Sequence, residues 1–107
     1  MLTLVASVQA LAEDDRVSAG RDLAHSYDKG NCLGCHKIPA DAKARTLATL
    51  GPVLSGMRER YPDRELLRSR LWDATAYNPN TIMPPFGKHD VLTDQEIELI
   101  IDYLYQY

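Results

Sequence analysis

The sequence predicts an all-α protein that forms a single domain. Three segments carry apolar residues at helical spacing, and each of them opens with a residue type that caps helices. No segment alternates apolar and polar residues over the length of a strand. The chain of 107 residues has about the length of one domain, so the three helices are expected to share one core.

The first predicted helix has Ser18 as its N-cap and runs to about Tyr27. Its apolar side consists of Val17, Leu23, Ala24 and Tyr27. Gly20 in its interior costs up to about 1 kcal/mol against alanine. Such a residue is expected where another helix approaches the backbone closely.

Two further helices follow in the second half of the chain. Asp63 is the predicted N-cap of the second helix, whose apolar stripe consists of Leu66, Leu67, Leu71 and Ala74. Thr93 and Glu96 form the capping box of the third helix. Its apolar stripes consist of Ile97, Ile100, Ile101 and Leu104, and of Leu99, Tyr103 and Tyr107.

Between the first two helices lies the motif Cys32-Leu33-Gly34-Cys35-His36. C-x-x-C-H is the signature of covalent c-type haem attachment, in which each cysteine adds to one vinyl group and the histidine is the proximal iron ligand. A zinc site would need more ligands, and a thioredoxin-like dithiol would need a βαβ context. A structural disulfide would close only a very small loop. We favour one covalently bound haem c, because only this interpretation uses His36.

Met83 is the predicted distal ligand. It lies about fifty residues after the motif, between a turn and Pro84-Pro85, which fix the backbone. Met1 is terminal, and Met57 lies too close to the proximal side. The rival ligands His25 and His89 are expected to face solvent. The predicted metal ligands are therefore His36 and Met83, and no catalytic residue is predicted.

The turn-rich segment 50–56 contains Pro52, which lacks an N–H but keeps its carbonyl group. A metal-bound histidine usually donates its second ring N–H to such an acceptor. Pro52 is therefore the candidate acceptor for His36, although an ordinary turn is the alternative. The predicted cofactor-binding residues are Cys32, Cys35, His36, Pro52 and Met83.

Net charge and hydropathy argue against two classes of function, and the distribution of charge leaves two interpretations open. The formal net charge of −3 argues against nucleic-acid binding, and no apolar run approaches the roughly 20 residues of a membrane span. Basic residues cluster at Arg58, Arg60, Arg64, Arg68 and Arg70, and acidic ones at Asp90, Asp94, Glu96, Glu98 and Asp102. These runs are either solvated helix faces or a surface that orients a redox partner.

Residues 1–12 form an apolar stretch that closes in Ala10-Leu11-Ala12, an A-x-A pattern. We interpret it as a signal-peptide remnant or an N-terminal extension. The haem domain is then expected to comprise residues 13–107.

The order of these features resembles the class I cytochrome c fold. It runs helix, C-x-x-C-H, Gly-Pro-x-Leu-x-Gly, helix, Met-Pro loop, helix. The resemblance implies that the N- and C-terminal helices cross around one covalent haem, with Gly20 and Tyr103 at the crossing. The chain is more closely similar to the SoxX family, through Lys29 to His36, Arg60 to Asp63, Trp72 to Ala74, Asn78 to Gly87, Leu92-Thr93 and Tyr103-Leu104.

The SoxX resemblance implies the role of a periplasmic electron-transfer subunit. SoxX forms a heterodimer with the haem protein SoxA in the SoxAX complex, an L-cysteine S-thiosulfotransferase of thiosulfate oxidation that acts on the SoxY carrier. The chain would accept electrons from the SoxA haem site and pass them to a downstream cytochrome, without being catalytic alone. The alternative is a free monohaem cytochrome c that shuttles electrons between other redox complexes. A gas-binding sensor or haem enzyme needs an open sixth position, against which the Met-Pro loop argues.

Overall fold

A computed structural model describes residues 11–107, so the interpretation of residues 1–12 falls almost wholly outside the described part of the chain. Its helices are α1 (Glu13–His25), α2 (Met57–Arg60), α3 (Arg64–Trp72) and α4 (Asp94–Leu104), with short 3-10 turns at Cys32–Gly34 and Ala74–Ala76. This part of the chain contains no β-strand, and none of its helices has the length and apolarity of a membrane span. The all-α prediction is confirmed.

Helix α1 begins at Glu13 with Ala12 in the N-cap position, so the predicted start at Ser18 is wrong. Ala12 makes no capping hydrogen bond through its side chain. The first turn instead carries three carboxylates, which the positive end of the helix dipole favours. They are Glu13, Asp14 and Asp15. The helix ends at His25, two residues earlier than predicted.

Helices α1 and α4 cross in close contact at Gly20. A Cβ atom on Gly20 would overlap the carbonyl group of Leu99 and would lie 2.8 Å from Cβ of Tyr103. The backbone of α1 can approach α4 this closely only because residue 20 has no side chain. The crossing at Gly20 and Tyr103 that the resemblance implies is therefore present.

Both predicted caps in the second half of the chain are confirmed. The Asp63 carboxylate accepts a hydrogen bond from the Glu65 amide at 3.0 Å. Thr93 Oγ1 accepts from the Glu96 amide at 3.1 Å, and Glu96 Oε1 accepts from the Thr93 amide at 2.9 Å. Helix α4 then buries most of its length, with Ile97, Ile100, Ile101 and Tyr103 fully enclosed.

Two arginines of the basic run pair with three carboxylates of the acidic run. Arg64 donates to Glu98 and Asp102, each at 2.8 Å. Arg68 donates to Glu98 at 2.9 Å and to Asp94 at 2.7 Å. Exposed ion pairs contribute about 0.2–1 kcal/mol each, and networks contribute more reliably than isolated pairs. Arg64 and Arg68 therefore hold α3 against α4 instead of forming a free docking surface.

A short C-terminal segment after α4 is tied to three other parts of the chain. The Tyr105 hydroxyl donates to the carbonyl of Tyr61 at 2.7 Å. The carbonyl of Tyr107 accepts from the Gly56 amide at 2.7 Å, and its hydroxyl accepts from Arg21 at 2.9 Å. These bonds bring the segment that contains Pro52 close to the α1 and α4 crossing.

Candidate haem site

The C-x-x-C-H motif folds into a tight 3-10 turn. Asn31 enters it with a left-handed backbone (φ 45°). The amides of Cys35 and His36 both donate to the carbonyl of Cys32, at 3.1 and 2.8 Å. This turn places Cys32, Cys35 and His36 around one cavity.

The cavity has a volume of about 600 Å³ and a mostly apolar lining. This volume lies within the roughly 300–1,000 Å³ typical of cofactor sites. Met83 lines the same cavity as the three motif residues, together with Pro84 and Phe86. The structure thus unites a pair of thiols, an imidazole and a thioether that are far apart in the sequence. This donor set fits a c-type haem that is attached through two thioether bonds and held by a histidine and a methionine.

The His36 ring is held in one orientation. Its Nδ1 donates to the carbonyl oxygen of Pro52 at 2.6 Å, as the sequence predicts. Nε2 therefore remains the nitrogen available to a metal. The ring also lies against Gly51, where a Cβ atom would come within 2.6 Å of Nδ1 and 2.8 Å of Nε2. Any other residue at position 51 would displace the imidazole.

Met83 is positioned by its loop. Its amide donates to Thr81 Oγ1 at 3.1 Å, and the amide of Thr81 donates to the carbonyl of Asn78 at 3.0 Å. The Met83 side chain is partly buried and packs against the core. Turn bonds before Met83 and prolines after it therefore restrict where the sulfur can lie.

The structure weakens the alternative interpretations of the two cysteines. Burial raises the pKa of the Cys32 thiol to about 12. Reactive thioredoxin-like thiols have a lowered pKa instead. Over residues 11–107, no group of three or more His, Cys, Asp and Glu residues is arranged to hold a metal ion. A zinc site would need four ligands, almost all of them from these residue types.

Other candidates from the sequence lie away from the cavity. His89 is exposed, as predicted, whereas the prediction that His25 faces solvent is wrong. The His25 ring is mostly buried, with Nε2 2.9 Å from the Tyr103 hydroxyl. Trp72 packs on Gly87, where a Cβ atom would overlap the indole, and does not line the cavity.

A buried polar cluster around Asp41 was not predicted from the sequence. Asp41 Oδ2 accepts from the Tyr103 hydroxyl at 2.5 Å and from Arg21 Nε at 3.2 Å, and Oδ1 accepts from the Lys43 amide at 3.0 Å. Burial raises the pKa of Asp41, but these hydrogen bonds outweigh that effect and leave it below the usual value. A single aspartate in a loop is ordinarily a turn residue, so no sequence signal marks it.

Residues 18–104 match the family model of the cytochrome c oxidase cbb3-type subunit III. The chain belongs to this family. The match to this cytochrome family and the similarity to the two solved structures described below imply a covalently bound haem c, so this prediction is confirmed. The protein is a c-type cytochrome, a class of protein that transfers electrons.

Two solved structures have similar folds. The crystal structure of SoxXA from P. pantotrophus matches with a TM-score of 0.71 at 24% identity, over 81% of this chain and 77% of that chain. The c-type cytochrome SorU from Sinorhizobium meliloti matches with a TM-score of 0.59 at 27% identity, over 87% of this chain and 91% of that chain. The predicted class I cytochrome c fold is thereby confirmed.

One relative in sequence is an uncharacterised lipoprotein of Aquifex aeolicus (strain VF5). It is 32% identical over 77 residues, which cover 72% of this cytochrome and 36% of the lipoprotein. The chain thus spans about a third of the length of that relative.

Proposed function

We propose that Cys32 and Cys35 attach one haem through thioether bonds, and that His36 and Met83 are its axial ligands. The observation that carries this proposal is the shared cavity, in which Met83 joins the three motif residues. When bound, the haem iron supplies a one-electron couple. A methionine and histidine ligand pair gives such a couple a raised potential.

The other residues of the site orient and shield these ligands. Pro52 accepts the Nδ1 proton of His36, which makes the imidazole a stronger ligand and fixes its tautomer. Gly51 leaves room for the ring. Phe86 is buried and lines the cavity, so it restricts the access of water to the site.

We further propose that the protein is a SoxX-type subunit that works with a SoxA-like haem protein. Its fold similarity to SoxXA and the Asn78 to Gly87 segment of the sequence support this role. In this role the chain accepts one electron at a time from the partner's haem site and passes it to a downstream cytochrome. In this proposal the partner, and not this chain, binds the carrier protein and carries out the reaction with thiosulfate. Because haem attachment of this type takes place outside the cytoplasm in SoxX-like proteins, the proposed location is the periplasm.

The second candidate is a free cytochrome that shuttles electrons between larger complexes. The similarity to SorU, which is named simply as a c-type cytochrome, favours this candidate. The two proposals differ in whether a permanent partner exists.

Mass spectrometry of the denatured protein tests the cofactor site. After expression with haem-attachment machinery, the mass should exceed that of the polypeptide by one haem. The double variant Cys32→Ser/Cys35→Ser should lose this increment. A polypeptide of bare mass under these conditions would refute the proposed attachment.

Co-purification tests the proposed role. The tagged chain is expressed together with a SoxA-like haem subunit, and the mixture is analysed by size-exclusion chromatography with haem detection. A stable one-to-one heterodimer supports the SoxX role. Elution of two separate monomers at micromolar concentration would favour the free shuttle.

A further inference from the structure

We infer that the C-terminal end of α3 holds Met83 in its place beside the cavity, and that Trp72 and Asp73 are positioning residues for this ligand. The inference rests on the proposed function, because it concerns what keeps the proposed distal ligand in place. Met83 lies in residues 74–88, here called the distal loop. Both ends of the distal loop are bound to residues 69–73, where α3 ends, and neither Trp72 nor Asp73 lines the cavity.

The end of the distal loop is bound to Trp72 by its backbone and by its ring. The carbonyl oxygen of Trp72 accepts hydrogen bonds from the amides of Gly87 at 3.2 Å and Lys88 at 3.1 Å. The indole packs directly on Gly87, where an added Cβ atom would come within 2.6 Å of Cδ2 and Cζ3 of the ring. The loop can therefore end this close to the ring only because residue 87 has no side chain.

The start of the distal loop is bound to the same end of α3. Asp73 caps the 3-10 turn that opens the loop, since its Oδ1 accepts from the Thr75 amide at 3.0 Å and also from the Thr75 hydroxyl. The hydroxyl of Tyr77 forms a hydrogen bond with the Ser69 hydroxyl at 2.6 Å. The Arg70 guanidinium lies 3.8 Å from the centre of the Tyr77 ring. Side chains at the end of α3 thus hold the first residues of the loop.

Asp73 contacts both ends of the distal loop. Besides the bonds from Thr75, its Oδ2 lies 3.6 Å from Nζ of Lys88. The lysine side chain is largely exposed, so this ion pair contributes little by itself. The Asp73 carboxylate is buried, and hydrogen bonds to a buried charged group contribute more. We therefore expect Asp73 to act mainly as the acceptor for Thr75 at the start of the loop.

The middle of the distal loop lines the cavity, whereas its two ends do not. The lining residues of the loop are Asn78, Thr81, Ile82, Met83, Pro84 and Phe86. The turn bonds around Thr81 lie within the loop and do not by themselves fix its position relative to the rest of the protein. A segment whose two ends are held together has fewer conformations than one with a free end. The contacts with α3 should therefore set how often the Met83 sulfur leaves its place.

Imidazole binding to the oxidised, haem-loaded protein tests the inference. Imidazole takes the sixth position only after the Met83 thioether has left it, so its apparent affinity rises by the factor by which the open population grows. Trp72→Ala and Gly87→Ala should each raise this affinity about tenfold, as expected when contacts worth one or two hydrogen bonds are lost. Both variants should also have a lower reduction potential, because methionine ligation raises it. Optical titration and potentiometry measure the two effects.

Gly20→Ala is the matched control for Gly87→Ala. It is the same substitution at another glycine where a Cβ atom would overlap its neighbours, but it lies at the crossing of α1 and α4. It should lower the stability of the fold and leave the imidazole affinity and the reduction potential at the parent's values. Circular dichroism confirms that each variant retains its helices, and the milder Trp72→Phe replaces any Trp72→Ala protein that does not fold.

Two further variants test the individual contacts. Asp73→Asn keeps an oxygen acceptor for Thr75 and should bind imidazole like the parent, whereas Asp73→Ala should bind it several-fold more tightly. In the double variant Trp72→Ala/Gly87→Ala the added Cβ atom no longer meets an indole. Its imidazole affinity should therefore equal that of Trp72→Ala alone, and effects of the two substitutions that multiply would overturn the role of their contact.

Comparison with Met83→Ala separates a failure of the inference from a failure of the proposed ligand. If Met83→Ala and the parent bind imidazole with equal affinity, Met83 is not the distal ligand, and the inference fails with the proposed site. If Met83→Ala binds imidazole more tightly but the Trp72 and Gly87 variants bind it like the parent, Met83 remains the ligand and the inference is overturned. Equal increases for Gly20→Ala and Gly87→Ala would show that any loss of stability opens the site, and would also overturn it.

Discussion

At the scale of single residues, Met83 is the proposed ligand that closes the haem site to external ligands. Its loop is fixed by the bond to Thr81 and by the prolines that follow. Reorganisation of this loop when the iron changes oxidation state should therefore be small. The identity of the axial ligand is one of the main means by which a protein sets a haem potential.

Replacement of Met83 by alanine should lower the reduction potential and allow carbon monoxide or imidazole to bind, because the sixth position loses its thioether. Potentiometry and optical spectra measure both effects. Met57→Leu is the matched control, since Met57 is buried in the core and does not line the cavity. The assignment of Met83 would be wrong if the alanine variant kept the parent's spectrum and potential.

His25 gives the stability of the fold a dependence on pH. Burial lowers the pKa of His25 from its ordinary value of 6.5, and nearby Arg21 lowers it further. The carboxylates of Asp41 and Asp22 oppose this effect without cancelling it. The neutral ring therefore suits the folded state, in which Nε2 lies close to the Tyr103 hydroxyl.

The free energy of unfolding should fall as the pH drops below about 6.5, because the unfolded chain then binds a proton that the folded His25 resists. The contribution of the neutral His25 ring to the free energy of unfolding is fully present above this pH. It is lost as the pH falls through the lower pKa that His25 has in the folded state. Denaturant unfolding at pH 7.5, 6.5 and 5.5 measures the slope. His25→Gln should show a flatter profile, and parallel profiles would contradict the prediction.

At the scale of helices, the crossing of α1 and α4 depends on the missing side chain of Gly20. Two effects oppose each other when alanine replaces this glycine. Helix propensity favours alanine by up to about 1 kcal/mol. The added Cβ atom would meet the Leu99 carbonyl and Tyr103, and overpacking costs about 1–3 kcal/mol. Because these atoms belong to the backbone and to a Cβ, they cannot move aside easily.

Gly20→Ala should therefore destabilise the protein by about 1–2 kcal/mol in net terms, as measured by thermal or denaturant unfolding. Ser18→Ala on the exposed side of the same helix is the control, and should change the stability by less than about 0.5 kcal/mol. An alanine variant at position 20 that is as stable as the parent would show that the two helices can separate without cost.

At the scale of the whole molecule, Asp41 connects parts of the chain that are remote in sequence. Its carboxylate lies 5% exposed between Arg21 of α1 and Tyr103 of α4, in the loop that continues from the haem motif. Removing one partner of a buried charged pair is costly because the other charge is left uncompensated.

Asp41→Ala should lower the free energy of unfolding by about 3 kcal/mol or more, because Arg21 and the Tyr103 hydroxyl lose their acceptor. Tyr103→Phe removes one hydrogen bond to the carboxylate and should cost about 1–2 kcal/mol. Calorimetry of the haem-loaded proteins measures both values. A loss below about 0.5 kcal/mol for Asp41→Ala would show that the cluster does not stabilise the fold.

Helix caps that depend on neighbouring residues were predicted well from the sequence. The capping residues Asp63 and Thr93 make the expected bonds, since a cap depends on residues within one helical turn. The start of α1 was missed because charge in the first turn replaced a polar cap. The short helix α2 carries no strong pattern over its four residues, and was also missed.

The sequence by itself determined the three longer helices, the haem-attachment motif and the candidate ligand types, because each depends on residues close together in the chain or on the chemistry of one side chain. Only the tertiary structure decided which distant charged and polar groups meet. It paired Arg64 and Arg68 with the acids of α4, and it buried Asp41 beside Tyr103. Such pairings depend on how the helices pack. A run of charged residues has the same sequence pattern whether its partner is solvent, another helix or another protein.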